Sequence, residues 1–323
     1  MLRVIKGAIH VDVAIPVISH AAFAALIVYL NILKFDRLSI PSSVIPSLSI
    51  VVGLILVFRN QTSYDRFWQG NQHLTSVETC IRNLTRSFLT CSYSTNGPSP
   101  TEAERADTEQ TVRILLALIY AVKHHLRAEW GAGMVPILMP THEVERRRRE
   151  SHSMSKAEYS ELLPAGTRGY EDQGLGLLIQ LSIEVEGYIK RGHDRGWFHS
   201  PQASQLSVQL NTLVAAYGSM ETIHLTPLPV AYLIHSRQVL ALFGCVLPFA
   251  LVREMGWWTV LLVAFITFTL YGIEAIGAQL EDPFGYDRND IKVDAIVEDL
   301  RVETSVLLAE WQRGSEMFPR PTI

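Results

Sequence analysis

The chain has 323 residues, 48% of them hydrophobic and 19% charged. That is too apolar for a soluble domain of this length and too charged for a protein lying wholly in lipid, so a few membrane spans joined to a sizeable polar part are expected. A net charge of −4 gives no reason to expect a nucleic-acid partner.

The N-terminus carries Arg3 and Lys6, but the apolar stretch behind them is span-length and does not read as a cleavable signal core. A first span is predicted from about Ala14 to Leu33. A second runs from about Leu38 to Phe58, 21 residues without a charge, where a membrane helix needs about 20. It ends abruptly in Arg59-Asn60-Gln61-Thr62-Ser63-Tyr64-Asp65-Arg66-Phe67-Trp68. Small residues around Ser49 and Gly53 suit close packing between membrane helices.

Between residues 59 and 229 the pattern is charged and mostly helical. Phe67 to Leu89 reads as a helix continuing out of the second span. Thr111 to Trp130, Gly174 to Lys190 and Ala203 to Ile223 each place apolar residues at helical spacing. Residues 94–108 and 136–170 read as loops, the second holding Arg146 to Arg149, a solvated run for which anionic lipid is a weaker reading. A third span is predicted from Val230 to Val252, with His235 and Arg237 near its start. The fourth covers Trp257 to Leu280, with Glu274 inside it and Trp257-Trp258 at the interface.

The resulting fold class is an all-α membrane protein with four transmembrane helices and a helical cytoplasmic domain. Its parts are 1–58 (spans one and two), 59–229 (helical domain), 230–280 (spans three and four) and 281–323 (C-terminal segment). The middle segment holds 17 of the 28 Lys and Arg residues, and the loop between spans three and four holds only Arg253. Long segments weigh little in the positive-inside rule. The short loops are nonetheless poor in positive charge, so both termini and the middle domain are placed in the cytoplasm, in a plasma or organelle membrane.

Cys80, Cys91 and Cys245 are far apart and form no metal or redox pattern. The histidines show no metal-ligand spacing. No nucleophile motif, phosphate loop or Rossmann glycine pattern occurs, so the chain does not read as an enzyme. A haem protein would need facing histidines, for which His20 and His235 are the sole candidates within spans.

The segment Phe58 to Trp68 resembles the signature of bestrophin-like channels, in particular their bacterial and fungal branch. Three further blocks agree in order: Glu221-Thr222-Ile223 with Thr226 to Tyr232; Leu247-Pro248-Phe249 with Gly256-Trp257; and Gly272-Ile273-Glu274 with Glu281 to Gly285 and Asn289-Asp290. The resemblance implies a homopentamer set in membrane lipid, with a central pore that passes chloride and other monovalent anions. It places a narrow neck on the second span, at Ile50, Leu54 and Phe58. A step of four residues keeps these on one helix face, drifting about 40° each time, although any such triple in a wholly apolar span could instead face lipid.

Arg59, Asn60, Ser63, Asp65 and Arg66 form the expected pore exit. Asp65 is expected to pair with an arginine, and Asn60 and Ser63 are candidate donors to a passing anion. By the same resemblance Glu274 is a buried partner for Arg237, with a functional intramembrane carboxylate as the alternative. A lower constriction is placed at Gln202 or Leu206. Animal bestrophins clasp calcium with an acidic run after Pro-Phe-Gly, but here that run is Tyr286-Asp287-Arg288-Asn289-Asp290. A cation amid the ligands opposes calcium, so no metal or cofactor is expected. A cation-permeable channel of the same build and a non-conducting membrane scaffold remain open.

Overall fold

The computed structural model describes residues 10–33, 39–92, 100–128, 158–163 and 175–314. Arg146 to Arg149 lie outside them. The described chain contains helices and one 3-10 turn: α1 (His10–Ile32), α2 (Val44–Cys91), α3 (Glu102–Ala128), the turn at Ser160–Leu162, α4 (Leu177–Asp194), α5 (Ser200–Leu225), α6 (Val230–Met255), α7 (Trp258–Leu280) and α8 (Val293–Arg313). These fall into two units. The first is Met1–Gln69 with Thr226–Asp290, and the second is Gly70–Leu225 with Ile291–Ile323. Helix α2 contributes to both.

In the first unit α1 packs against α6 and α7, and α6 against α7. All four helices that contribute to this unit are long and apolar enough to cross a membrane. Their shared core is Ala24, Val52, Leu56, Leu240, Phe243, Leu247 and Val263, each nearly fully buried. Close approach of α1 and α6 depends on Gly244, because a Cβ there would lie 2.7 Å from the His20 ring. The imidazole of His20 bonds the Tyr271 hydroxyl at 3.3 Å, while His235 is exposed.

Helix α2 begins at Val44, later than the apolar run that starts at Leu38. Pro41 precedes it, and the Pro41 and Ser42 carbonyls accept from the Val44 and Ile45 amides in an opening turn.

In the second unit the rest of α2 buries Leu74, Val77, Ile81, Leu84 and Phe88 completely, a three-and-four spacing that makes one apolar stripe. Helix α3 packs on α4, α5 and α8, and α4 packs on α5. Around Phe88, Tyr188 and Phe198 the core is aromatic, with ring centroids 4.7–6.1 Å apart. Gly192 admits Phe198, whose ring would be 2.3 Å from a Cβ. Tyr188 exchanges a hydrogen bond with Thr108 at 2.8 Å, and burial pushes its phenol well above the ordinary range. Asp107 bridges Arg191 and Arg195 at 2.7 and 2.9 Å.

Two further elements depart from the sequence reading. Residues 94–108 are not all loop: α3 starts at Glu102, because Thr101 and Glu104 form a reciprocal capping box, backbone N–H of Thr101 to Oε2 and backbone N–H of Glu104 to Oγ1. Helix α8 was not anticipated. Its Val293, Val297, Leu300 and Thr304 are buried at helical spacing, and it stops at Gly314 in the left-handed conformation (φ 67°).

Candidate functional site

The exit of α2 is two-sided. Ile50, Leu54 and Phe58 are 64%, 51% and 64% exposed, and with a rotation of about 100° per residue they share one face. Val52, Leu56, Arg59 and Ser63 are all at most 3% exposed. By the same rotation they lie roughly 140–200° from Leu54, on the opposite face. The apolar face is therefore free and the other is fixed.

What fixes it is charge. Arg59, 1% exposed, forms an ion pair through Nη1 with Glu274 of α7. The same carboxylate oxygen accepts from Arg237 Nε of α6 at 2.8 Å. Burying a guanidinium in an apolar bundle is tolerable only with such a partner. Thus Glu274 does meet Arg237, as expected, and Arg59 is the further partner. The signal for Arg59 was its position at the span's end, which reads equally as an interfacial anchor.

At the next residue, Asn60 Nδ2 donates to the Ile273 carbonyl of α7 at 3.1 Å. The helices approach closely there: a Cβ at Gly277 would meet Asn60 Oδ1 at 2.9 Å. Arg66 closes the exit, donating from Nε to the Glu281 carbonyl at 3.0 Å and from Nη1 to the Thr226 carbonyl at 2.6 Å. Burial pushes the Glu281 carboxyl up, against the opposing pull of Arg59, Arg66 and Arg237.

The exit residues expected from sequence therefore separate. Ser63 is fully buried, and its Oγ has no hydrogen-bond partner among the described residues. Neither it nor Asn60 lies on the side of Ile50, Leu54 and Phe58. The physical reason is helix rotation: residues two and five positions after Phe58 fall far from its face. Asp65 does share that face and is exposed. Among the described residues it pairs with no arginine; its Oδ1 accepts from Gln61 Nε2, one turn earlier, at 2.8 Å. Gln61, also exposed on that face, was missed because an isolated glutamine carries no pattern signal.

Neither residue expected at a lower constriction is on the exposed side of α5. Leu206 is 2% exposed, part of the second unit's core. Gln202 is half-buried and donates to the Cys91 sulfur at 3.1 Å. The exposed side of α5 carries Gln205, Val208 and Thr212 instead.

The family model described as Bacterial/Fungal Bestrophin protein matches residues 1–306. The chain is a bacterial/fungal bestrophin. A voltage-dependent anion channel-forming protein of Nostoc is 36% identical over 284 residues, 87% of this chain and 81% of that one. A second, from Synechocystis, is 32% identical over 310 residues, 93% and 91%. The fold matches the crystal structure of a bacterial bestrophin homolog from Klebsiella pneumoniae with TM-score 0.73 at 21% identity, covering 92% of this chain and 98% of that one. This bestrophin is an integral membrane protein of a channel family, not an enzyme.

Proposed function

We propose that this bestrophin is one subunit of a homopentameric anion channel, with α2 facing a central pore and Ile50, Leu54 and Phe58 of five copies stacked as an apolar neck. The observation that carries the reading is the two-sided α2. Its buried side is tied to α6 and α7 through Glu274, which leaves the Ile50, Leu54 and Phe58 side for the axis. The names of the Nostoc and Synechocystis relatives support anions as the permeating species.

An apolar ring offers no strong site to trap an ion and gates by dewetting. Weakly hydrated anions lose less on entering it than strongly hydrated ones, so permeability should follow dehydration cost. The distribution of Lys and Arg favours a cytoplasmic location for both termini and the middle unit. The channel needs no calcium in this reading: Asp290, 6% exposed, has a carboxylate oxygen engaged by the Asp287 amide at 2.6 Å. A chelator should leave the current unchanged, and a loss of current would reverse that point.

One observation favours the cation-permeable reading. Asp65 lies on the neck's face just past Phe58, and a ring of carboxylates selects cations. Planar-bilayer recordings under a tenfold potassium chloride gradient decide between them. The anion reading expects a reversal potential approaching the chloride limit, about 59 mV in magnitude. A value at the potassium limit that collapses on Asp65→Asn would overturn it.

A further inference from the structure

Within the first unit a cavity of about 570 Å³ lies between α1, α6 and α7 and the segment after α7, inside the ~300–1,000 Å³ range of small-molecule sites. Ala241, Ala275 and Ala278 form small apolar walls, and Arg237, Glu274 and Asp287 bring charge to it.

Two of these charges are left over. Glu274 is already met by the buried Arg59. Arg237 uses only Nε on the same carboxylate, its side chain is 62% exposed, and its two Nη atoms have no hydrogen-bond partner among the described residues. The carboxylate of Asp287 has none among the described residues either: its backbone N–H donates to the Asp290 carboxylate and its backbone carbonyl accepts from the Asp290 N–H, both leaving the side chain unengaged. A guanidinium with free forks suits a planar or tetrahedral oxyanion, carboxylate or phosphate.

Depth says which oxyanion. Helix α6 has 26 residues, about 39 Å at 1.5 Å each, close to the ~40–45 Å of a whole bilayer. Arg237 is seven residues inside its start, about 10 Å. That is the boundary between headgroups and hydrocarbon, within reach of a snorkelling arginine. Around it α1, α6 and α7 expose Ile15, Ile18, Ile234, Phe268 and Ile276, a surface suited to acyl chains.

We propose that this cavity binds the headgroup of a phospholipid bearing a primary ammonium, with the phosphate on Arg237 and the ammonium on Asp287. The two unspent charges have opposite sign, which matches a zwitterion. A phosphocholine has no N–H to donate, and a phosphoglycerol offers Asp287 no cation. Phosphatidylethanolamine is therefore preferred over both.

Native mass spectrometry of the purified full-length protein, loaded with each lipid of identical acyl chains, tests this without any ionic current, so it stands apart from the conduction reading. The assembled wild type should retain phosphatidylethanolamine about tenfold better than phosphatidylcholine or phosphatidylglycerol, a factor fitting one charge-assisted hydrogen bond. Arg237→Gln should weaken all three lipids, and Asp287→Asn should abolish the discrimination against phosphatidylcholine. Should Arg237→Gln fail to assemble, Ala275→Leu, which narrows the cavity and keeps every charge, should release the lipid. Equal retention of the three lipids, or full retention by Arg237→Gln or Ala275→Leu, overturns the site. Displacement by millimolar inorganic phosphate would assign it to a soluble anion, and assembled protein retaining no lipid would assign the cavity to a neighbouring copy; either also overturns the proposal.

Discussion

Glu274 holds two arginines, and the consequences of removing each partner differ. Glu274→Met leaves Arg59 cationic, 1% exposed and without its counter-ion, a situation that costs about 3–5 kcal/mol. Arg59→Met is milder, because Glu274 keeps the Arg237 Nε at 2.8 Å; about 1–2 kcal/mol is expected. Arg237→Gln keeps the buried pair and removes an outward-facing group, at a cost of about 0–1 kcal/mol. The double variant Arg59→Met/Glu274→Met leaves only an apolar contact, so it should recover part of what Glu274→Met loses, by about 1–2 kcal/mol. The assay is thermal unfolding followed by tryptophan fluorescence, all variants in one detergent at one protein concentration. At about 2–4 °C per kcal/mol, Glu274→Met should fall by roughly 10 °C. A double variant no better than Glu274→Met would refute the reasoning, as would Arg237→Gln proving equally damaging.

Ser63→Ala should keep the single-channel conductance of the parent and be neutral or stabilising by up to about 1–3 kcal/mol, since it removes a buried hydroxyl; a clear drop in conductance would return Ser63 to the ion path. Leu54→Ala with Phe58→Ala should raise the current and flatten the ratio of iodide to chloride permeability, measured from bi-ionic reversal potentials, whereas a scaffold would show no change. Burial alone would raise the Asp107 carboxyl, but hydrogen bonds and charge from Arg191 and Arg195 outweigh it and hold it below the ordinary range. A depressed folded value means its stabilisation is complete above the unfolded value of about 3.9 and is lost as pH falls below that toward the folded value. Asp107→Asn should thus remove up to about 1.4 kcal/mol per pH unit of acid sensitivity in that window, read as the difference in unfolding midpoints between pH 5 and pH 3.

Hydropathy located the spans because the apolar stretches are long and their ends are marked by charge: α6 begins at Val230 as expected, and α7 ends at Leu280 where Pro283 forbids continuation. It could not locate the start of α2, where Pro41 delays the helix inside a stretch that is uncharged throughout. Helix α8 was legible in principle, from Val293, Val297, Leu300 and Gly314, but its apolar stripe is thin and interrupted by acids. The contacts of the exit residues were hidden for another reason. A motif gives order along the chain, whereas the contact an exit residue makes depends on its angle about α2. Arg59 and Phe58 are adjacent in sequence and about 100° apart in space, so nothing in the linear pattern says that one is buried and the other exposed.

That adjacency also limits how the neck can open. Turning α2 enough to move Phe58 off its face would carry Arg59 away from Glu274 and Asn60 away from the Ile273 carbonyl. It would also break the two bonds from Arg66 to the Glu281 and Thr226 carbonyls. The ion pair alone opposes this by about 3–5 kcal/mol per chain. A side-chain rotamer change in Phe58 costs about 0.5–1.5 kcal/mol even when it leaves a staggered well. With α2 held against α6 and α7 by charge, the cheaper route to a wider or wetter neck is through the apolar side chains themselves, which is where an ion barrier made by dewetting is most sensitive.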